Sequence, residues 1–184
     1  MNKLVKLPLF LGICGGACAG VLAGVNAITS PIIENAKLEK ANAAYMEMYK
    51  EFNVAAADIT TQEVEDIQGC SVKAFVDNAN VKGIAYTCQV KGYGGTVSFQ
   101  IAFANGKYLG YTDLGNSETD GYGKAVIAKI GETIGQVDAN TSLDNVDAYS
   151  ALITGKSITG KALKSQIELC RADYLTWYSE KKGG

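Results

Sequence analysis

The chain has 184 residues, of which 47% are hydrophobic and 20% charged, and its net charge is −2. That length suffices for one domain plus an appendage and falls short of two full domains. Nothing in a near-neutral balance suggests a nucleic-acid surface, which needs clustered lysine and arginine, and the absence of histidine excludes Ser-His-Asp and Cys-His triads and the usual histidine metal sites.

The apolar excess sits at the N-terminus. No residue from Leu7 to Ile33 is charged. Residues 7–28 would span about 33 Å as a helix at ~1.5 Å per residue, which matches a bilayer core. Lys3 and Lys6 precede the segment, and a balanced set (Glu34, Lys37, Glu39, Lys40) follows it. The positive-inside bias therefore places residues 1–6 in the cytoplasm and residues 29–184 outside, as a single-pass protein of the cell membrane. A cleaved signal peptide has a shorter apolar region and a small-residue cleavage site, so a retained transmembrane anchor is the expectation. Gly12, Gly16, Gly20 and Gly24 recur at every fourth position. On a helix they form a smooth stripe for close approach of another membrane helix; the bland alternative is accidental spacing in a glycine-rich anchor.

After Thr29-Ser30-Pro31 a helix is expected over 32–52, with Thr29 or Ser30 as cap and Pro31 in its first turn. A polar stretch, 58–68, follows. Residues 72–76, 84–90, 96–103 and 108–112 are rich in β-branched and aromatic side chains and are read as strands, with Asn105-Gly106 as a hairpin signal between the last two. Gly92-Tyr93-Gly94-Gly95 separates two of them. Residues 124–134 read as a helix, 138–149 as irregular and polar, and 159–178 as a final helix with apolar residues near helical spacing. The expected fold class is α+β: a small, mostly antiparallel sheet flanked by helices, with one N-terminal transmembrane helix.

Five cysteines (Cys14, Cys18, Cys70, Cys88, Cys170) contain no C-x-x-C pair, which disfavours a zinc or iron–sulfur site built by this chain alone. Cys70 and Cys88 are placed to approach in a sheet, but buried free thiols are the expectation. Gly155-Lys156-Ser157 imitates the end of a P-loop, yet the position of the first glycine is Ser150, so the loop cannot fold around phosphates in that way. Thr154, Ser157 and Thr159 still place hydroxyls, and Lys156 and Lys161 charge, at a helix N-terminus whose unpaired N–H groups favour a phosphate. Simple helix capping by Ser157 or Thr159 is the alternative on this segment alone.

Read in order, "VNAITSPIIE", "GYGG", "ETDGYG" and "TGKSITGKAL" resemble the flavin-binding subunits of bacterial membrane redox complexes. The likeness is to the G subunit of the Rnf complex and its cousin, the C subunit of the sodium-pumping NADH:quinone reductase, and it covers essentially the whole chain. The resemblance implies FMN held by a phosphoester to Ser157, within Thr154-Gly155-Lys156-Ser157-Ile158-Thr159. It also implies that Glu118, Thr119, Gly121, Tyr122 and Gly123 line the isoalloxazine ring, with Tyr93 and Gly94 beside them. In this sequence Lys156 stands where the family has alanine, Ala151 where it has aspartate, and Asp120-Gly121-Tyr122-Gly123 where it has Pro-Gly-Leu-Gly. These departures bear on covalent attachment more than on flavin binding. The implied role is an electron-transfer subunit, not catalytic on its own, in a redox-driven ion translocase that moves electrons between ferredoxin and NAD⁺. Its partners would be the other membrane subunits and a flavin transferase, and no nucleic acid. Two alternatives remain: a stand-alone membrane-anchored flavin carrier, and a non-flavin scaffold subunit with Ser157 as a helix cap.

Overall fold

The computed structural model describes residues 12, 15–16, 18–27, 29, 43–64, 66–120, 123–135, 137–143 and 158–182. The chain divides into two units, Met1–Lys40 and Ala41–Gly184. The described residues of the first unit are helical. Most of the expected helix over 32–52 and part of the expected anchor over 7–28 lie outside the described residues. Among the described residues no helix is long and apolar enough to cross a membrane.

The second unit is α+β. Five strands, β1 (Ile59–Glu63), β2 (Cys70–Asp77), β3 (Lys82–Lys91), β4 (Thr96–Ala104) and β5 (Lys107–Asn116), form one open sheet in sequential order. Every neighbouring pair is antiparallel, so each connection is a local hairpin. Asn105 and Gly106 have φ of 49° and 81°. Two left-handed residues in a row match the twist of the flanking strands, which is why Asn-Gly marks such hairpins. The β2–β3 turn is closed by Asn78, whose Oδ1 accepts from the N–H groups of Asn80 and Val81.

β1 was not expected. It falls in the polar stretch 58–68, and its residues after Ile59 are all exposed. An edge strand with no buried face carries no apolar alternation, so pattern reading passes over it.

Alternation in β3 and β4 sends large side chains to one face and small ones to the other. Ile84, Tyr86 and Cys88 pair across the strands with Phe103, Ile101 and Phe99, and all belong to the larger core. Two helices cover this face: α1 (Gly123–Thr133) and α2 (Ile158–Lys182). From α2, Leu163, Ile167, Cys170 and Tyr174 are buried; their spacing of four, three and four residues keeps one stripe against the sheet. The opposite face carries Ala74, Ala85, Ala102 and Ala104. Those short side chains leave room for the rings of Tyr45 and Tyr49, which come from the helical turn over 43–48 and just after it. Gly83 belongs to the same accommodation: a Cβ there would lie 2.9 Å from the Tyr49 hydroxyl.

α2 packs over β3 and reaches both ends of β4. Its first turn meets the β3–β4 loop through Thr159, and its fifth meets the β4–β5 turn through Tyr174, whose hydroxyl oxygen accepts from Gly106 N–H at 2.8 Å. The Tyr174 ring stacks on Phe103, centroids 5.0 Å apart. Between these ends a polar clamp joins helix to sheet: Lys73 Nζ lies 3.0 Å from Asp173 Oδ1, and Tyr86 donates to Asp173 Oδ2 at 2.6 Å.

Candidate functional site

Three motifs that are far apart in the sequence meet at one end of the sheet. The tetrapeptide Gly92-Tyr93-Gly94-Gly95 turns β3 into β4, with Gly92 N–H donating to Gly95 C=O at 2.8 Å. Glu118, just past β5, reaches under this loop, and its Oε1 accepts from Gly94 N–H at 3.0 Å. Thr159, in the first turn of α2, also reaches it, and its Oγ1 accepts from Tyr93 N–H at 3.0 Å. Both side chains are buried, Glu118 at 5% and Thr159 at 1% exposure. A buried carboxylate without a donor would be costly, so the loop N–H is what makes the position tolerable.

The glycines follow from this crowding. A Cβ at Gly92 or at Gly123 would collide with the Glu118 carboxylate, and one at Gly94 would lie 2.5 Å from the Ser117 carbonyl. Gly95 adopts φ of 146°, a conformation that side chains disfavour. Glu118 also stands beside Gly123, the first residue of α1, where negative charge is favoured by the helix dipole. Its own N–H donates to Asn116 Oδ1 at 3.1 Å. Thr119 contributes its carbonyl, which accepts from Lys124 N–H, and Asp120 pairs with Lys124 Nζ at 2.8 Å. The N-terminal turn of α1, through Glu118, and that of α2, through Thr159, therefore converge on one loop, whose Gly92, Tyr93 and Gly94 N–H groups are all bonded within this cluster.

Two apolar groups remain open beside this cradle. Tyr93 is 78% exposed and Ile158 is 58% exposed, although the Tyr93 N–H is tied to the residue next to Ile158. Of the residues singled out in the sequence, Tyr93, Gly94, Glu118, Gly123 and Thr159 come together here, and Thr119 and Ile158 adjoin them in the chain. Thr154, Gly155, Lys156, Ser157, Gly121 and Tyr122 lie outside the described residues. Glu118 is a buried brace between two loops, an arrangement that the sequence motif alone did not convey.

One expectation is corrected. Cys70 and Cys88 are not free thiols: they form a disulfide across β2 and β3. The two residues are direct cross-strand partners, and that register could not be read without the bulge between Cys70 and Val72, which shifts the pairing. Cys170 is free and buried beside the bridge. No protein-family model matches the chain, and no curated protein matches it either.

Proposed function

We propose that this chain is the FMN-carrying electron-transfer subunit of a membrane-bound, ion-translocating redox complex of the Rnf type. The observation that supports it most is the convergence of the GYGG loop, Glu118 with Gly123, and the start of α2, joined by the Gly94–Glu118 and Tyr93–Thr159 hydrogen bonds. Those are the segments that the family resemblance assigns to one flavin site. A glycine-lined loop lets backbone groups approach a planar heterocycle closely, and the N-terminus of α2 favours a phosphate. These features of the described residues support FMN as the group held there.

In this reading the Ser157 hydroxyl carries the phosphate as an ester at the head of α2. Lys156 adds positive charge next to it, and Thr154, Gly155, Ile158 and Thr159 complete the phosphate end. Glu118, Thr119, Gly121, Tyr122 and Gly123, with Tyr93 and Gly94, border the ring. FMN supplies the one- and two-electron chemistry; the chain sets its position, solvent access and distance to neighbours. Glu118 acts by fixing the loop and not by moving a proton. The apolar N-terminal segment anchors the domain outside the cell membrane, and its glycine stripe packs against partner subunits.

The test is in-gel flavin fluorescence of the denatured full chain, co-produced with a flavin transferase. Fluorescence and a mass increment of one FMN are expected, and both are lost in Ser157→Ala. A colourless native protein overturns the flavin reading in favour of a scaffold. A coloured protein that loses its flavin on denaturation overturns only the covalent link. Co-purification with polytopic membrane proteins separates a subunit from a stand-alone carrier; if Gly16→Leu with Gly20→Leu leaves it unchanged, the packing role of the stripe is wrong.

A further inference from the structure

Three sulfurs meet where β2, β3 and α2 pack together. Cys70 and Cys88 are bonded to each other, and the Cys170 thiol lies 3.5 Å from the first sulfur and 3.6 Å from the second. Cys170 is fully buried at a position where any small apolar side chain would fill the space. A thiol almost equidistant from both sulfurs of a bridge is a nucleophile with two targets.

We propose that Cys70, Cys88 and Cys170 form a thiol–disulfide exchange site, in which a single disulfide moves between the strand-to-strand pairing and a strand-to-helix link. Cys170 gives up its proton and its sulfur attacks Cys88 Sγ. The Cys88–Cys170 bond forms as the Cys70–Cys88 bond breaks, and the Cys70 sulfur leaves with the bonding pair and takes up a proton. One disulfide and one thiol are present before and after, so no oxidant or reductant takes part. Attack on Cys70 would release Cys88 instead. The surroundings favour the first course: Gln166 Nε2 donates to Cys70 Sγ at 3.3 Å, and a donor stabilises the departing thiolate, since a thiol of lower pKa leaves faster.

The step is slow at rest. Burial, then the Asp173 charge, push the Cys170 thiol up, against smaller opposing effects of Gln166 and Lys73. The titratable groups around it are Asp173 on its own helix, Lys73 on β2, Tyr86 on β3 and Tyr108 on β5. Its near-equal distance from both sulfurs is also a side-on approach, so a side-chain rotation must precede in-line attack. The consequence is structural. Cys170 lies about three turns beyond Thr159 on α2, so the second isomer ties to the sheet the same helix that opens at the candidate site.

The experiment uses the full wild-type chain. It is incubated in mildly alkaline buffer without reductant, quenched and denatured in acid, alkylated with N-ethylmaleimide and mapped by peptide mass, which separates these positions from Cys14 and Cys18. The label is expected to shift from Cys170 toward Cys70 with time, as a Cys88–Cys170 linked peptide appears. Label confined to Cys170 at every time and pH overturns the proposal. As a second measurement, Cys70→Ser is treated with oxidised glutathione, which takes up the two electrons as Cys88 and Cys170 join. A linked Cys88–Cys170 peptide is expected; two free thiols, or glutathione left on either one, overturn it. Neither readout depends on bound flavin.

Discussion

The two ends of β4 are built on opposite principles. At one end the Asn105–Gly106 turn is specified by two adjacent residues, both with positive φ. Tyr174, with the bonds of Asn105 to Asn80 and Lys82, then adds to a turn that its own sequence already favours. At the other end the Gly92–Gly95 loop has one internal hydrogen bond and depends on Glu118 and Thr159, which are 24 and 66 residues from the groups that they bind. A locally encoded turn survives loss of its distant partners, whereas a loop held from afar is sensitive to them. That sensitivity is what a ligand-responsive site needs, because anything that moves α2 or the Glu118 segment also moves the loop.

The largest effect tests the hairpin end. Tyr174→Ala removes the stack on Phe103 and leaves a large cavity, which costs about 3–5 kcal/mol for an aromatic residue. Chemical denaturation should report that loss in the midpoint. The turn itself should stay formed in the folded fraction, as seen by the amide shifts of Asn105 and Gly106. If the turn opens, it is not locally encoded and the contrast fails.

The loop end is tested by Gly92→Ala. Its Cβ would collide with the Glu118 carboxylate and lie 2.9 Å from Thr159 Oγ1, an overpacking worth about 1–3 kcal/mol. Combining it with Glu118→Ala should cost less than the sum of the two single changes, because the second substitution removes the atoms that the first one meets. Additive losses in a double-mutant cycle would mean that the clash is relieved elsewhere. Smaller still is Tyr174→Phe, which keeps the ring and deletes only the hydroxyl that Gly106 donates to, for about 1 kcal/mol.

The same contrast explains what the sequence yields to inspection. The strands of the sheet centre, the hairpin and the last helix are legible because their signals are local: β-branched and aromatic runs, Asn-Gly, and the stripe from Leu163 to Tyr174. β1 is illegible because an exposed edge has no pattern. Glu118 looks like a polar loop residue in the sequence and is a buried brace in the fold; only the distant GYGG loop makes it so. The disulfide was missed because the register between β2 and β3 hangs on a bulge that no composition announces. The glycines were legible as loop residues, but not the reason for them, which for Gly92 and Gly123 is the carboxylate of Glu118 just past β5.

The smallest predicted effect asks whether charge adds to the locally encoded end. Asp77, the last residue of β2, accepts from Lys181 in the final turn of α2 at 2.6 Å and from Lys82 at 3.0 Å. The hydrogen bond from Lys181, then the one from Lys82, hold its carboxyl below the usual aspartate value. A folded-state pKa below the unfolded one stabilises the fold above the unfolded value, and the contribution is lost as pH falls through the lowered folded value. Asp77→Asn should therefore lower the melting temperature slightly at neutral pH. The difference from wild type should close in acid, where Asp77 is protonated in both states. Added salt should shrink it at neutral pH, since the pair is exposed and screened. If the difference persists in acid, Asp77 acts through hydrogen-bond geometry and not through charge.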